Sequence, residues 1–249
     1  MNYLHELSCP KSGLMSNQIS AQLLRELREG QFAAADRLPS ETALAQYMGV
    51  SRTVIRDALS DLEREGLVER VRGIGTVINH TIVKLDNRLD LKEEYYDLIH
   101  ALGYESSSDN IHLRTEPASG NMVEDLQLSE NDPLIVCEKR VLAGGRPVIY
   151  PIDYIPRNLI DLEDYTGIDW SQPVFDILER YCGIVVDSSI CRVRAISGPG
   201  NIRKLLELKE EDALLELDEV GRGKMGRPVL FSIGYYTDFF DFTMLRKKI

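Results

Sequence analysis

Apolar positions along the first third of the chain change spacing twice, from helical to helical again and then to alternating. Ser40 precedes a run from Glu41 to about Met48 whose apolar residues suit a short helix. The Ser40 hydroxyl can cap orphan N–H groups, Glu41 sits at the positive helix end, and Gly49 suits the left-handed stop. Val50 starts a short turn, and Ser51 can cap a second helix in which Ile55, Ala58, Leu59 and Leu62 fall on one buried face. Leu67–Arg72 then reads as a strand, Gly73-Ile74-Gly75 as a tight turn and Thr76–Ile78 as the return strand. Two short helices followed by a β-wing make a compact head.

The outer face of the second helix carries Arg52, Thr53 and Arg56. Two arginines at i and i+4 with a hydroxyl between them, near a helix N-terminus, suit guanine edges and phosphate oxygens in a major groove. In an isolated helix the same arginines would more often pair with Asp57, Asp61 or Glu63 as a solvated face. The hairpin that follows favours the recognition reading, with Arg72 at a tip positioned for a minor groove.

The second half repeats itself. Tyr95–Gly103 (YYDLIHALG) matches Phe175–Gly183 (FDILERYCG), each an amphipathic helix ending at a glycine. Leu126-Gln127-Leu128 through Leu134 matches Leu206-Glu207-Leu208 through Leu214 at an offset of 80, and Gly145-Arg146-Pro147-Val148 matches Gly226-Arg227-Pro228-Val229 at 81. Two copies of helix, strand, short helix and hairpin predict a pseudo-symmetric α+β unit with a shared antiparallel sheet and a cavity between the copies.

With these motifs in hand, Ile19–Ile78 resembles the winged helix-turn-helix of the GntR family of bacterial transcription regulators. The resemblance implies DNA contacts from Arg52, Thr53, Arg56, Arg72 and Gly73, with Ser40 and Ser51 beside them. Many relatives place a basic or polar contact residue just after the Leu-Pro-Ser-Glu element, where this chain has Thr42. From about Leu85 onward the chain resembles the UTRA domain, the effector-binding module of the HutC subfamily, whose fold is shared with chorismate lyase. The implied organisation is a winged helix-turn-helix at 14–78, an extended linker at 79–90, and an effector-binding and dimerising α+β domain at 91–249. A homodimer on a short inverted-repeat operator in double-stranded DNA, modulated by a small molecule and usually repressing, is the expected function.

For the effector, the resemblance points to Arg140 as an anion-binding arginine and to Ser106, Ser107 and Ser108 as hydroxyl donors after the Gly103 stop. Asp153, Tyr154, Ser232 and Tyr236 lie on the returning hairpin strands, where alternation sends some of them to the cavity. His112 and Arg194, on the long paired strands, are weaker candidates. In sugar-phosphate-sensing relatives the final strand holds a glutamate and an arginine where this chain has Leu230 and Thr237. A carboxylate or other organic anion of lower polarity is therefore expected in place of a sugar phosphate.

Charge adds one qualification. The formal net charge is −11, and the first 80 residues carry 9 basic and 10 acidic side chains against 20 and 30 in the remainder. DNA affinity is then expected from a few placed arginines, doubled by dimerisation, rather than from a basic footprint. Cys9, Cys137, Cys182 and Cys191 show no metal-ligand spacing, no cofactor is expected, and no apolar run could span a bilayer, which together favour the cytoplasm. Two other functions are compatible with such a chain in principle. An enzyme of the chorismate lyase type with a DNA-binding head would need a positioned acid–base or nucleophilic pair that no spacing announces. An architectural DNA-binding protein would not need the duplicated domain.

Overall fold

A computed structural model describes residues 11–85, 87–91, 94–160 and 165–246; Cys9 and the rest of residues 1–10 lie outside it. The chain divides into two compact units, the first comprising residues 1–86 with 245–249 and the second spanning Asn87–Met244.

The first unit holds α1 (Lys11–Arg28), α2 (Glu41–Met48), α3 (Arg52–Arg64), the hairpin β1 (Val68–Val71) and β2 (Gly75–Ile78), and α4 (His80–Val83). Its core is drawn from every element, with Leu23 and Leu27 of α1, Leu44 of α2, Ile55, Leu59 and Leu62 of α3, and Ile78 and Val83 all buried. The apolar stripe of α3 is therefore the one its spacing predicts. Gly49 stops α2 at φ +68°, and its N–H donates to Ala45 O. Hairpin pairing ends at Val71↔Gly75, so the tip is Arg72-Gly73-Ile74 and the first strand is shorter than expected by one residue at each end. Gly73 (φ +80°) and Gly75 (φ +107°) supply the positive φ values that this turn needs.

Residues 79–90 differ from the extended linker expected of them. Asn79 Oδ1 accepts from Ile82 N at 3.4 Å and caps α4, whose Val83 is buried in the head, and His80 Nε2 lies 3.0 Å from Ala35 O. Further on, Leu89 N donates to Thr243 O (2.8 Å) and Thr243 N to Asn87 O (3.0 Å), with Arg88 buried. A single apolar turn such as Ile82-Val83 is too short to display a period, which is why the sequence pattern hid it.

The second unit has α5 (Tyr95–Ala101), β3 (Ser106–Pro117), α6 (Asn121–Asp125), β4 (Pro133–Ala143) and β5 (Arg146–Pro156), then α7 (Val174–Cys182), β6 (Ser188–Ile196), α8 (Gly200–Leu205), β7 (Leu214–Arg222) and β8 (Pro228–Tyr236). One six-stranded antiparallel sheet runs β3-β4-β5-β8-β7-β6. The duplication is legible in its register. Ile152 and Ile233, equivalent under the 81-residue offset, pair directly with each other at the β5/β8 seam, so the pseudo-two-fold passes through them. Equivalent turns share their local chemistry as well: Gln127 and Glu207 both take positive φ (54° and 56°), and Ser129 N and Lys209 N each donate at 2.8 Å to Asp132 and Asp212.

Alternation divides the sheet between two helical layers. Tyr150 and Tyr154 face α6 and α8, whereas Ile149 and Ile155 pack toward α5 and α7. The cavity described below belongs to the α5/α7 face.

Candidate functional sites

In the head, Ser51 Oγ accepts from Val54 N at 3.3 Å and Ser40 Oγ from Ala43 N at 3.2 Å, so both hydroxyls serve as helix caps. Capping fixes the first turn of α3, which carries Arg52 and Thr53, with Arg56 one turn later. All three are exposed, the arginine side chains by 60% and 56%. They do not pair with Asp57, Asp61 or Glu63. Glu41 instead takes both, at 3.7 Å from Arg52 Nη2 and 3.3 Å from Arg56 Nη2. Glu63 is engaged by Arg70, whose hydrogen bonds hold the Glu63 carboxyl below its ordinary range, and Asp61 by Arg64. Arg72, Gly73 and Thr42 are exposed as well. Arg37 was not anticipated; its Nη1 donates to Ile74 O at 3.4 Å and adds an exposed cation beside the tip of the wing.

In the second unit a cavity of about 470 Å³ opens on the α5/α7 face. Its floor follows the sheet register. Asp153 of β5, Ser232 of β8, Glu219 of β7 and Cys191 of β6 are successive cross-strand neighbours in one row, and Pro151, Gly234 and Leu217 form the next. Ser232 Oγ donates to Asp153 Oδ1. Glu94 and Tyr95 come from the start of α5, Val174 and Phe175 from α7, and Arg88, Asp90 and Phe242 from the ends of the unit. Arg88 donates to Asp90 through Nε (3.2 Å) and Nη2 (2.6 Å). Among the described lining residues, Asp90, Glu94, Asp153, Asp187 and Glu219 are acidic and Arg88 alone is basic.

Two tyrosines report on this environment. Burial, followed by the negative charge of Asp153 and Glu94, pushes the Tyr95 hydroxyl well above its usual pKa. Tyr236 is raised by burial and then by Glu219, with Cys191, Asp153 and Glu94 adding to it. The Tyr236 ring leans over Gly234, where an added Cβ would sit 2.6 Å from Cε2. Lys139 occupies the same side of the sheet without lining the cavity. Its amine donates to Trp170 O (3.0 Å) and Gln172 O, and burial lowers its pKa.

Of the expected effector residues, Asp153, Ser232 and Tyr236 line this cavity. Tyr154 does not, because it adjoins Asp153 in a strand and so points to the opposite face, into a core with Leu134, Val136 and Phe231. Arg140 is also on that opposite face. Its guanidinium forms a double hydrogen bond with Asp109 (2.7 Å twice) and reaches Leu205 O (3.1 Å) and Glu207, binding one repeat to the other. Arg194 pairs with Glu216 and Asp218, and His112 is exposed on β3; neither lines the cavity. Ser106–Ser108 form the start of strand β3. Ser106 meets His100 Nε2 (2.9 Å), Ser108 donates to Ser171 O (3.3 Å), Ser107 is exposed, and none of the three borders the cavity. Leu230 is buried and the Thr237 hydroxyl donates to Val148 O. Glu94, Tyr95 and Glu219 were missed. Alternation from Ser232 across the register would have found Glu219, but nothing in the sequence brings α5 over that row.

A winged helix-turn-helix presenting exposed arginines, followed in the chain by a duplicated domain with a cavity on one face of its sheet, defines a DNA-binding regulator with a small-molecule domain. The gntR family of bacterial regulatory proteins matches residues 15–78 and the UTRA domain residues 101–238. The chain therefore belongs to the GntR family, in its UTRA-bearing, HutC-like branch. It is a DNA-binding transcriptional regulator. Among curated relatives, the mannosyl-D-glycerate transport/metabolism system repressor MngR of Escherichia coli K12 is 22% identical, covering 93% of this chain and 95% of that protein. The HTH-type transcriptional repressor NagR of Bacillus subtilis is 25% identical over 68% of each. The fold is that of crystalline YydK from Bacillus subtilis (TM-score 0.71, 18% identity, 94% of this chain and 99% of that one). PhnF from Mycobacterium smegmatis is similar too (TM-score 0.59, 20% identity, 92% and 99%). No helix among the described residues is long and apolar enough to cross a membrane.

Proposed function

We propose that the protein is a cytoplasmic repressor that binds a short inverted repeat as a homodimer and leaves it when a small molecule occupies the cavity on the α5/α7 face. Arg52 and Arg56 read or clamp the major groove, Thr53 fixes register, and Arg72 and Gly73 at the wing follow the minor groove. The observation that carries this reading is the outer face of α3, where three donors stand exposed on a helix whose opposite face is fully buried. Glu41 keeps the two guanidiniums together until phosphate or base acceptors replace it.

The protein acts by binding and not by catalysis. Control requires a ligand whose affinity differs between two arrangements of the dimer, because equal affinity shifts no equilibrium. Asp153, Ser232, Glu219 and Tyr236 are the groups offered to it.

Electrophoretic mobility and sedimentation of the purified protein with a duplex carrying its own promoter region test the reading. A two-protomer complex dissociated by a small molecule, with that response lost in Asp153→Asn, is expected. A monomer bound to DNA, or a response that survives in every cavity variant, would overturn it.

A further inference from the structure

We infer that the wing selects base pairs as well as following the groove: Ile74 at its tip packs on the minor-groove floor and favours A·T or T·A over G·C by excluding the guanine 2-amino group. This rests on the reading of the wing as a minor-groove element and adds what it recognises there.

The tip is built to present one apolar side chain. Ile74 is 47% exposed between Gly73 and Gly75, and nothing lies within 4 Å of where a Cβ would stand on either glycine. A bare backbone on both sides lets the turn approach a surface closely. Ile74 is also held in place, since its N–H donates to Val71 O at 3.0 Å and its carbonyl accepts from Arg37 Nη1 at 3.4 Å. A third segment braces the hairpin beneath it. Arg37 pairs with Val77, Leu38 N donates to Thr76 O (2.9 Å), and Ile78 N donates to Asp36 O (3.0 Å). Leu38 and Ile78 then anchor this framework in the core of the head.

Chemistry sets the preference. An isoleucine side chain neither donates nor accepts a hydrogen bond, so it discriminates by shape and by what it leaves unsatisfied. In the minor groove every pair offers acceptors, and G·C alone adds a donor, the N2 amino group. Isoleucine packed on that floor would meet the amino group sterically and strip its water without supplying a partner. Charge points the same way. Arg37 and Arg72 are exposed cations beside Ile74, and the narrow groove of A·T tracts carries the more negative potential. Arg52 and Arg56, placed for the major groove, do not meet this amino group, so α3 and the wing read separate features of one duplex.

Exchange of single bases in the operator tests this. In the inverted repeat that the full-length protein selects from random duplexes, each adenine is replaced in turn by 2,6-diaminopurine and each guanine by inosine. The first adds the minor-groove amino group and the second removes it, and both leave the major-groove hydrogen-bonding edge unchanged. Fluorescence anisotropy should find at least one position in each half-site where the amino group lowers affinity by about fivefold or more. Ile74→Ala should abolish that penalty, Ile74→Leu should keep most of it, and both should melt as the wild type does. Ile74→Ala should retain the major-groove preferences, whereas Arg52→Ala should lose some of these and keep the amino penalty. A penalty undiminished in Ile74→Ala would overturn the inference, and one lost instead in Arg72→Ala would assign the discrimination to that arginine. An operator bound without an amino penalty at any position would refute the role of Ile74 and leave the regulator standing. Selection of no sequence would refute the DNA-binding reading itself.

Discussion

Replacing Arg52 with alanine separates DNA recognition from folding. In the free protein the guanidinium is 60% exposed and its nearest carboxylate, Glu41 Oε2, is 3.7 Å away. A pair of that exposure contributes under about 1 kcal/mol, and alanine is a better helix former than arginine, so the melting temperature should barely change. On an operator the loss is much larger. One bidentate base contact is worth about 1–3 kcal/mol, and a homodimer loses it in both half-sites, about 2–6 kcal/mol in all. Affinity should fall by roughly 30-fold at the low end and about 10⁴-fold at the high end. Fluorescence anisotropy with specific and scrambled duplexes across a salt series measures this. Base reading predicts loss on the specific duplex alone, with tolerance appearing at one position of each half-site. An equal loss on both duplexes, with a salt slope shallower by about one per arginine removed, would make Arg52 a phosphate contact and refute the assignment.

Three further perturbations bear on the fold and the cavity. Ser51→Ala removes the cap on Val54 N and should cost about 1 kcal/mol, read as a lower denaturant midpoint for the head with weakened operator binding; an unchanged midpoint would show that the cap is dispensable. Arg140→Met should destabilise the second unit by roughly 1–3 kcal/mol without changing effector affinity, whereas a large affinity loss in a normally melting variant would restore it to the binding site. Arg140 also sets an acid dependence, since its hydrogen bonds lower the Asp109 pKa below that of the unfolded chain. The stabilisation is fully present above the unfolded value and lost as pH falls through the lowered folded one. Wild type should therefore lose more stability on acidification than Asp109→Asn. Gly234→Ala pushes a Cβ against the Tyr236 ring, so effector response should fall while operator affinity is retained; an unaltered response would mean that the ring yields without reshaping the cavity.

The head was almost wholly legible because its information is local. Capping serines, a glycine stop and a 3–4 spacing of Ile55, Ala58, Leu59 and Leu62 each act over a few residues, and the structure follows them. The duplication was legible for a different reason, since two copies of one sequence must fold alike, down to the paired Ile152 and Ile233. The cavity was only half legible. Adjacent residues in a strand cannot share a face, so Asp153 and Tyr154 were never both available, and choosing between them required knowing which helices cover which face. Arg140 misled because an arginine suited to an anion is equally suited to a carboxylate of its own fold, and Asp109 lies directly across the β3/β4 ladder. Glu41 holding Arg52 and Arg56 is a contact between separate helices, beyond the reach of an i, i+4 rule.

Selection of binding sites from random duplex DNA by the full-length protein addresses the central claim most directly. Enrichment of one short inverted repeat, lost in Arg52→Ala and Arg56→Ala proteins that melt normally, is the result expected of a dimeric regulator reading DNA through α3. Enrichment of no sequence, or of the same sequence by both variants, would contradict it.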